Sequence, residues 1–276
     1  MSVSRIGIVA SPVPPSRLFR RNLAVVVVGS AALVIAGIGL GFHPWMLVTE
    51  FHHLVRLAGE MLPPNVALLW RKPGLFETIG TTLAMTFLGT VTGCLLAFVL
   101  ALVAARNTTL HPALRSATRL LFGLERATPN FVVLLVLFIS FGYGPFAAMI
   151  ALAIGSIGMF GKLFADAIEE VEAGPCEAVE LVGAGRWQVI RYAVMPQVLP
   201  VVVGRSFYAF DVNLRAAIAL GVYGGGGVGF ELQLAMKVLR YADAFALILL
   251  IILLITGMER VSDAVRRRLL PQGVLK

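Results

Sequence analysis

"ATPNFVVLLVLFISFGYGPFAAMIALAIGSIGMFG", residues 127–161, carries no charged side chain along its whole length. A helix needs about 20 apolar residues to cross a bilayer, so this run is long enough for two crossings. Its centre, "GYGP" at Gly142–Pro145, is a turn signal. The reading is therefore two membrane spans joined by a tight hairpin.

Working outward, the same pattern recurs. Uncharged runs cover Leu23–Phe42 and Thr78–Ala105, the latter bounded by Glu77 and Arg106. Val198–Tyr223 makes a further span that carries charges, and Ala242–Met258 forms the core of the last. The composition agrees: 58% of residues are hydrophobic and 14% charged, with mean hydropathy +0.88, where soluble domains carry about 25% charged residues. The fold class is all-α, a polytopic helical membrane protein of about six transmembrane helices.

This layout divides the chain into a tail at 1–22, a first span at 23–42, a connection at 43–76, a helical core at 77–270 and a tail at 271–276. The first tail contains the Pro-rich "ASPVPPSR" and is expected to be disordered. Arg17, Arg20 and Arg21 before the first span imitate a signal peptide. That span is longer than the usual 7 to 15 residues of a signal h-region, and "GIGLGFHPW" is a poor cleavage site. It reads as a retained helix. The 43–76 connection holds "FHHLVRLAGEML", an amphipathic helix suited to the membrane interface.

Six spans put both termini on one side. With the termini in the cytoplasm, 16 Lys and Arg face that side against 5 opposite, which satisfies the positive-inside rule. The net charge of +8 thus reflects topology, not nucleic-acid binding. The expected location is the cytoplasmic (inner) membrane of a prokaryote.

One polar segment, 166–197, interrupts the core on the cytoplasmic side. Within it, Gly174 and Pro175 suit a helix start, and Glu177 and Glu180 are expected in the first turn, where the helix dipole favours carboxylates. Gly183 and Gly185 break that helix, and "RWQVIRYAVM" begins another that meets Pro196 and Pro200. The segment is read as helix, hinge, helix at the membrane surface.

Three charges, Arg205, Asp211 and Arg215, lie inside the fifth span, where each costs a few kcal/mol unless it faces a cavity or partner. Asp211 and Arg215 stand at i, i+4 and are placed to pair with each other. Arg215 then either helps an anion across or serves structure alone. Arg205 lies off that face and snorkels toward cytoplasmic headgroups. The glycines at 221 and 224–227 cap the outer end of this helix, either as an amide-lined turn or as a flexible loop. Gly37 with Gly41, Gly89 with Gly93, and the set Gly155, Gly158 and Gly161 are candidate close-packing faces.

Other motifs carry no chemistry. "GGGGVG" matches a dinucleotide fingerprint trivially, and no soluble strand precedes it. "GMFGKL" lacks the Gly and Ser/Thr of a phosphate-binding loop, so the chain does not hydrolyse ATP by itself. Adjacent His52 and His53 do not share a helix face. Cys94 and Cys176 show no metal or disulfide spacing. No catalytic residue and no metal site is expected.

The polar segment resembles the cytoplasmic signature of ABC-importer permeases, with Glu177, Ala178, Gly183 and Pro196 at the matching places. Val179, Ala193 and Met195 depart from that signature. The resemblance implies that residues 175–185 are a coupling helix, with Glu180 beside Glu177, docking on an ATPase subunit. A second stretch, "SFYAFDVNLRAAIALGVYGGGGVG" (206–229), is similar to the phosphonate-transport permeases. There Asp211, Asn213, Arg215, Gly221, Gly224, Gly225, Gly226 and Gly227 carry the likeness, and "GPFAAMIAL", "KLFADAIEEVEAGP" and "MPQVLP" extend it. Arg205, Asp211, Asn213 and Arg215 become translocation-pathway candidates. The resemblance further implies two ATP-binding subunits that hold ATP and Mg, no cofactor in this chain, a second permease copy, surrounding lipid, and a periplasmic or lipid-anchored phosphonate-binding protein. The expected solute is phosphonate, phosphite or a related oxyanion. The competing reading is a secondary transporter or channel for a small anion, which would explain the intramembrane charges but has no use for the polar segment.

Overall fold

The computed structural model describes residues 15–41 and 45–269. Of the tails expected at 1–22 and 271–276, residues 1–14 and 271–276 lie outside these residues. Two compact units divide at Gly59/Glu60.

The first unit holds α1 (Pro15–Gly39), α2 (Met46–Thr49) and most of α3 (Phe51–Met61). Residues 15–22, expected in the tail, are already helical. Phe19–Gly39 is apolar enough to cross a membrane and none of it is buried within the chain. The expected amphipathic helix is α3, and none of its residues is buried. Gly41 has open space where a Cβ would stand, so the close-packing role expected of it is not seen among the described residues.

The second unit is a helical bundle. Its elements are α4 (Leu68–Arg71), α5 (Leu75–Ala104), α6 (Pro112–Ala127), α7 (Asn130–Phe141), α8 (Pro145–Glu169), α9 (Ala173–Leu181), α10 (Arg186–Val189), α11 (Met195–Leu220), α12 (Gly227–Lys237) and α13 (Tyr241–Leu269). A π-helical turn at Ile190–Val194 joins α10 to α11, and another at Gly221–Gly225 follows α11. No strand occurs among the described residues. Five helices are long and apolar enough to span a membrane, and a bent pair raises the number to six.

That bent pair corrects the expectation for residues 127–141. α7 has only 12 residues, about 18 Å of helix, too short for a 30 Å hydrocarbon core. It is preceded by α6, bent from it by 90°. "ATPN" explains the break. Pro129 disfavours helical geometry at Thr128, and the Thr128 ψ of 117° is extended.

The core forms where α5 and α8 pack along each other, the most extensive helix pairing among the described residues. Glycine makes this approach possible. A Cβ on Gly93 would stand 2.6 Å from both the Ala153 carbonyl oxygen and the Ser156 Cβ, closer than real side chains come. The opposite face of α8 receives the bent pair: Asn130 lies against Gly155, Glu125 against Gly158 and the Phe122 ring against Gly161. Of the three expected glycine faces, two are contact surfaces here: Gly89 and Gly93 of α5 receive α8, and Gly155, Gly158 and Gly161 of α8 receive α6–α7.

The bundle has two ends. One carries the turns after α5 and α8 together with segment 166–197; the other carries Gly142–Pro145 and residues 221–241.

Candidate functional site

The first candidate site is segment 166–197. Helix α9 begins at Ala173, two residues before Pro175, so Glu177 and Glu180 fall beyond the first turn. The expected dipole contact of these carboxylates is therefore not made. The reason lies in Glu172, whose extended backbone (ψ 132°) precedes the helix and whose N–H donates to Gln197 Oε1 at 3.0 Å. That bond ties the start of the segment to the start of α11.

The expected hinge is present. Gly183 has φ 84°, a conformation glycine takes without a Cβ clash, and its N–H donates to the Glu180 carbonyl at 2.9 Å. Gln188 Oε1 then accepts from the Gly185 N–H at 2.8 Å, capping α10. Leu181 and Val182, at the tip between the helices, are 88% and 83% exposed. Ala178 lies in α9, while Pro196 stands just after the π-helical turn, at the second residue of α11.

The root of the segment is an ion cluster that hydropathy did not signal. Glu169, the last residue of α8, accepts at Oε1 from the Arg106 backbone N–H at 2.7 Å and from Arg119 Nη2 at 2.8 Å. Arg115 Nη2 lies 3.6 Å away from the same oxygen, and Arg106 Nε 3.8 Å from Oε2. Arg119 Nε also donates to the Ala104 carbonyl at 3.2 Å. The Arg186 guanidinium donates to the Thr109 carbonyl. One carboxylate thus gathers the ends of α5, α6 and α8 beside the exposed tip.

The second candidate site is the interior of α11. Asp211 and Arg215 do not pair with each other. Asp211 Oδ2 accepts from Ser262 Oγ at 3.3 Å and from Arg266 Nη2 at 3.4 Å, both on α13. Arg215 pairs with Glu259, also on α13. Packing of α11 on α13 offers each charge an oppositely charged neighbour across the interface, and this replaces the same-helix pair. Arg205 does not snorkel free, because its guanidinium donates to the Leu163 carbonyl of α8.

Asn213 occupies the centre. It is 3% exposed, and its Nδ2 donates to Thr90 Oγ1 at 2.9 Å and Ser156 Oγ at 2.8 Å, joining α11, α5 and α8. Thr90 belongs to a threonine face on α5 in which Thr82, Thr86 and Thr90 each donate to the carbonyl four residues earlier. The i, i+4 spacing of those threonines was the available signal.

The glycine turn after α11 is packed and not a flexible loop. Val228 N–H donates to Thr82 Oγ1 at 2.9 Å. Gly227 has φ 70°, and a Cβ there would overlap the Thr82 hydroxyl. Gly224 lies against Tyr143, Gly225 against Ala148, Gly226 against Pro145, and Gly221 within a tight approach to the Gly226 carbonyl. The turn therefore locks α12 onto α5 and α8. The Val228 amide is thus spent on an internal side chain.

Comparison with known proteins places these features in context. Residues 89–271 match the family described as "Binding-protein-dependent transport system inner membrane component". The phosphite transport system permease protein PtxC of Stutzerimonas stutzeri is 34% identical, covering 80% of this chain and 79% of its own. The phosphate-import permease protein PhnE of Mycolicibacterium smegmatis is 39% identical over 92% of this chain, which spans only 47% of that relative's length. Among solved structures, an inward-facing MetNI methionine ABC transporter chain superimposes with TM-score 0.63 at 20% identity, covering 74% of this chain and 99% of that one. That likeness concerns the fold.

Proposed function

Because the chain belongs to the family of binding-protein-dependent transport system inner membrane components, we propose that this membrane permease forms the pathway of an ATP-driven importer for phosphonate or a related phosphorus oxyanion. The observation that carries the coupling half of this reading is the exposed apolar tip Leu181–Val182 on a short helix rooted at Glu169. Exposed apolar side chains at the end of a rigid, ion-clamped segment suit a partner's groove. The oxyanion half is supported by the two relatives, permeases for phosphite and phosphate.

In this reading two ATP-binding subunits, which hold ATP and Mg, engage α9 of two permease copies. Glu177, Ala178 and Glu180 face the partner groove, and Gly183 sets the bend. Closure of the ATPase pair draws the coupling helices together. Rigid connection through Glu169, Gln197 and the π-helical turn passes that displacement into α8 and α11, which opens the pathway to the outer side. A periplasmic or lipid-anchored binding protein delivers the solute there, and both termini stay in the cytoplasm. Asn213, held by Thr90 and Ser156, fixes the three central helices as one body during the movement. ATP supplies the energy in the partner subunit, and no step requires a cofactor in this chain.

The test is reconstitution with the ATPase and binding protein, measuring ATP hydrolysis with 2-aminoethylphosphonate, phosphite and phosphate. Stimulation by loaded binding protein, lost when Gly183 is replaced by Val, is expected. Solute movement without any ATPase partner would instead establish the secondary transporter or channel.

A further inference from the structure

At the bundle end opposite segment 166–197, α4, α12 and α13 enclose a cavity of about 490 Å³, within the range of small-molecule sites. Its lining is part ionic and part apolar. Lys72 is neutralised by Glu231, and Asp243 Oδ1 accepts from Asn65 Nδ2 at 2.7 Å. The Lys72–Glu231 pair is thereby neutral, while Asp243, held by a neutral amide, keeps its charge and leaves the cleft with one more cation than anion. Arg71 and Arg240 remain, two guanidiniums lining the same cavity with no acidic partner within salt-bridge distance among the described residues.

The backbone holds Arg240 in this lining at some cost. Its N–H donates to the Ala235 carbonyl at 2.9 Å, and the Leu239 N–H donates to the Met236 carbonyl at 3.1 Å. Together these bonds form the helix-ending motif whose penultimate position normally holds glycine. Here that position is Leu239, with φ 59°. Leu68, Leu234 and Leu247 line the same cleft.

We infer that this cleft binds a phosphorus oxyanion bearing an apolar substituent, the charged group between Arg71 and Arg240 and the substituent on the leucines. Guanidinium recognises tetrahedral oxyanions through paired N–H donors, and the leucines reward each buried methylene. The same chemistry is found in an organophosphonate and in the headgroup region of an anionic lipid. The solute source is favoured on the proposed function, on which this assignment rests.

The full chain in phosphatidylcholine nanodiscs is titrated calorimetrically with butylphosphonate, methylphosphonate and phosphite, with empty discs as blanks. Butylphosphonate is expected to bind about tenfold more tightly than phosphite. The double variant Arg71→Ala/Arg240→Ala loses about tenfold in affinity, whereas Lys237→Ala, outside the cleft, loses nothing. The paired Arg71→Lys/Arg240→Lys variant keeps the charge and gives an intermediate value, which guards against misfolding as the cause. In discs containing phosphatidylglycerol, lipid retained by the wild type and released by the double variant, without phosphonate heat, assigns the same site to a lipid headgroup. Equal binding by wild type and both variants, or neither heat nor retained lipid, overturns the assignment. Substrate-stimulated ATP hydrolysis by the reconstituted wild type tests the proposed function separately and survives failure of the cleft.

Discussion

Individual side chains set the tolerances of this bundle. Gly227 combines a positive φ with no room for a Cβ, so Gly227→Ala is expected to cost about 2 kcal/mol or more. Thermal unfolding in detergent would show it as a lowered midpoint. Asn213→Leu removes two buried hydrogen bonds while Thr90 and Ser156 keep their own backbone acceptors, so a loss of about 1–2 kcal/mol is expected in the same assay. Cys176 offers a pH readout outside the spans. Burial first, then the charges of Glu180 and Glu177, push its thiol upward. Less thiolate is present at neutral pH, so maleimide labelling should be slower than for a free cysteine and should keep accelerating above the ordinary thiol range. A rate matching free cysteine would contradict this environment. Sequence spacing exposed Asp211, Asn213 and Arg215 as unusual, yet it mispaired the charges. The i, i+4 rule sees one helix, and the partners Glu259, Ser262 and Arg266 come from another.

Among the elements, those defined by long apolar runs were legible, because bilayer thickness fixes their length. Helix α6 was not. Its charges, Arg115, Arg119, Glu125 and Arg126, lower the hydropathy to that of a loop, while its apolar face is recognised only once α8 supplies the glycine groove. Glu169 shows the same limit, since nothing local marks one carboxylate as the meeting point of three arginines. Glu169→Gln should keep the backbone bond from Arg106 and lose the charge pairing, costing about 1 kcal/mol of stability. Its larger effect is expected in coupling: less solute moved per ATP hydrolysed by the reconstituted importer. An unchanged ratio would confine Glu169 to a structural role.

For the whole molecule, the decisive surface is the apolar tip at Leu181 and Val182. Leu181→Asp should leave the unfolding midpoint unchanged, since the side chain is 88% exposed, while weakening co-purification of the ATPase by about tenfold. Retained co-purification would move the docking surface elsewhere. The helical pathway between this tip and the buried polar centre is a continuous stretch, Arg186–Gly225, and its π-helical turn at Ile190–Val194 sets a phase. Each residue of an α-helix advances about 100° around the axis, and a π turn inserts one residue without adding a full turn. Removing a single residue there would return the stretch to plain α-helix. Asp211, Asn213 and Arg215 would then rotate together by about 100° relative to Gln188 and the tip, away from Thr90, Ser156 and α13. The extra residue thus acts as a clocking shim: it decides which way the polar face points once the segment below it is docked.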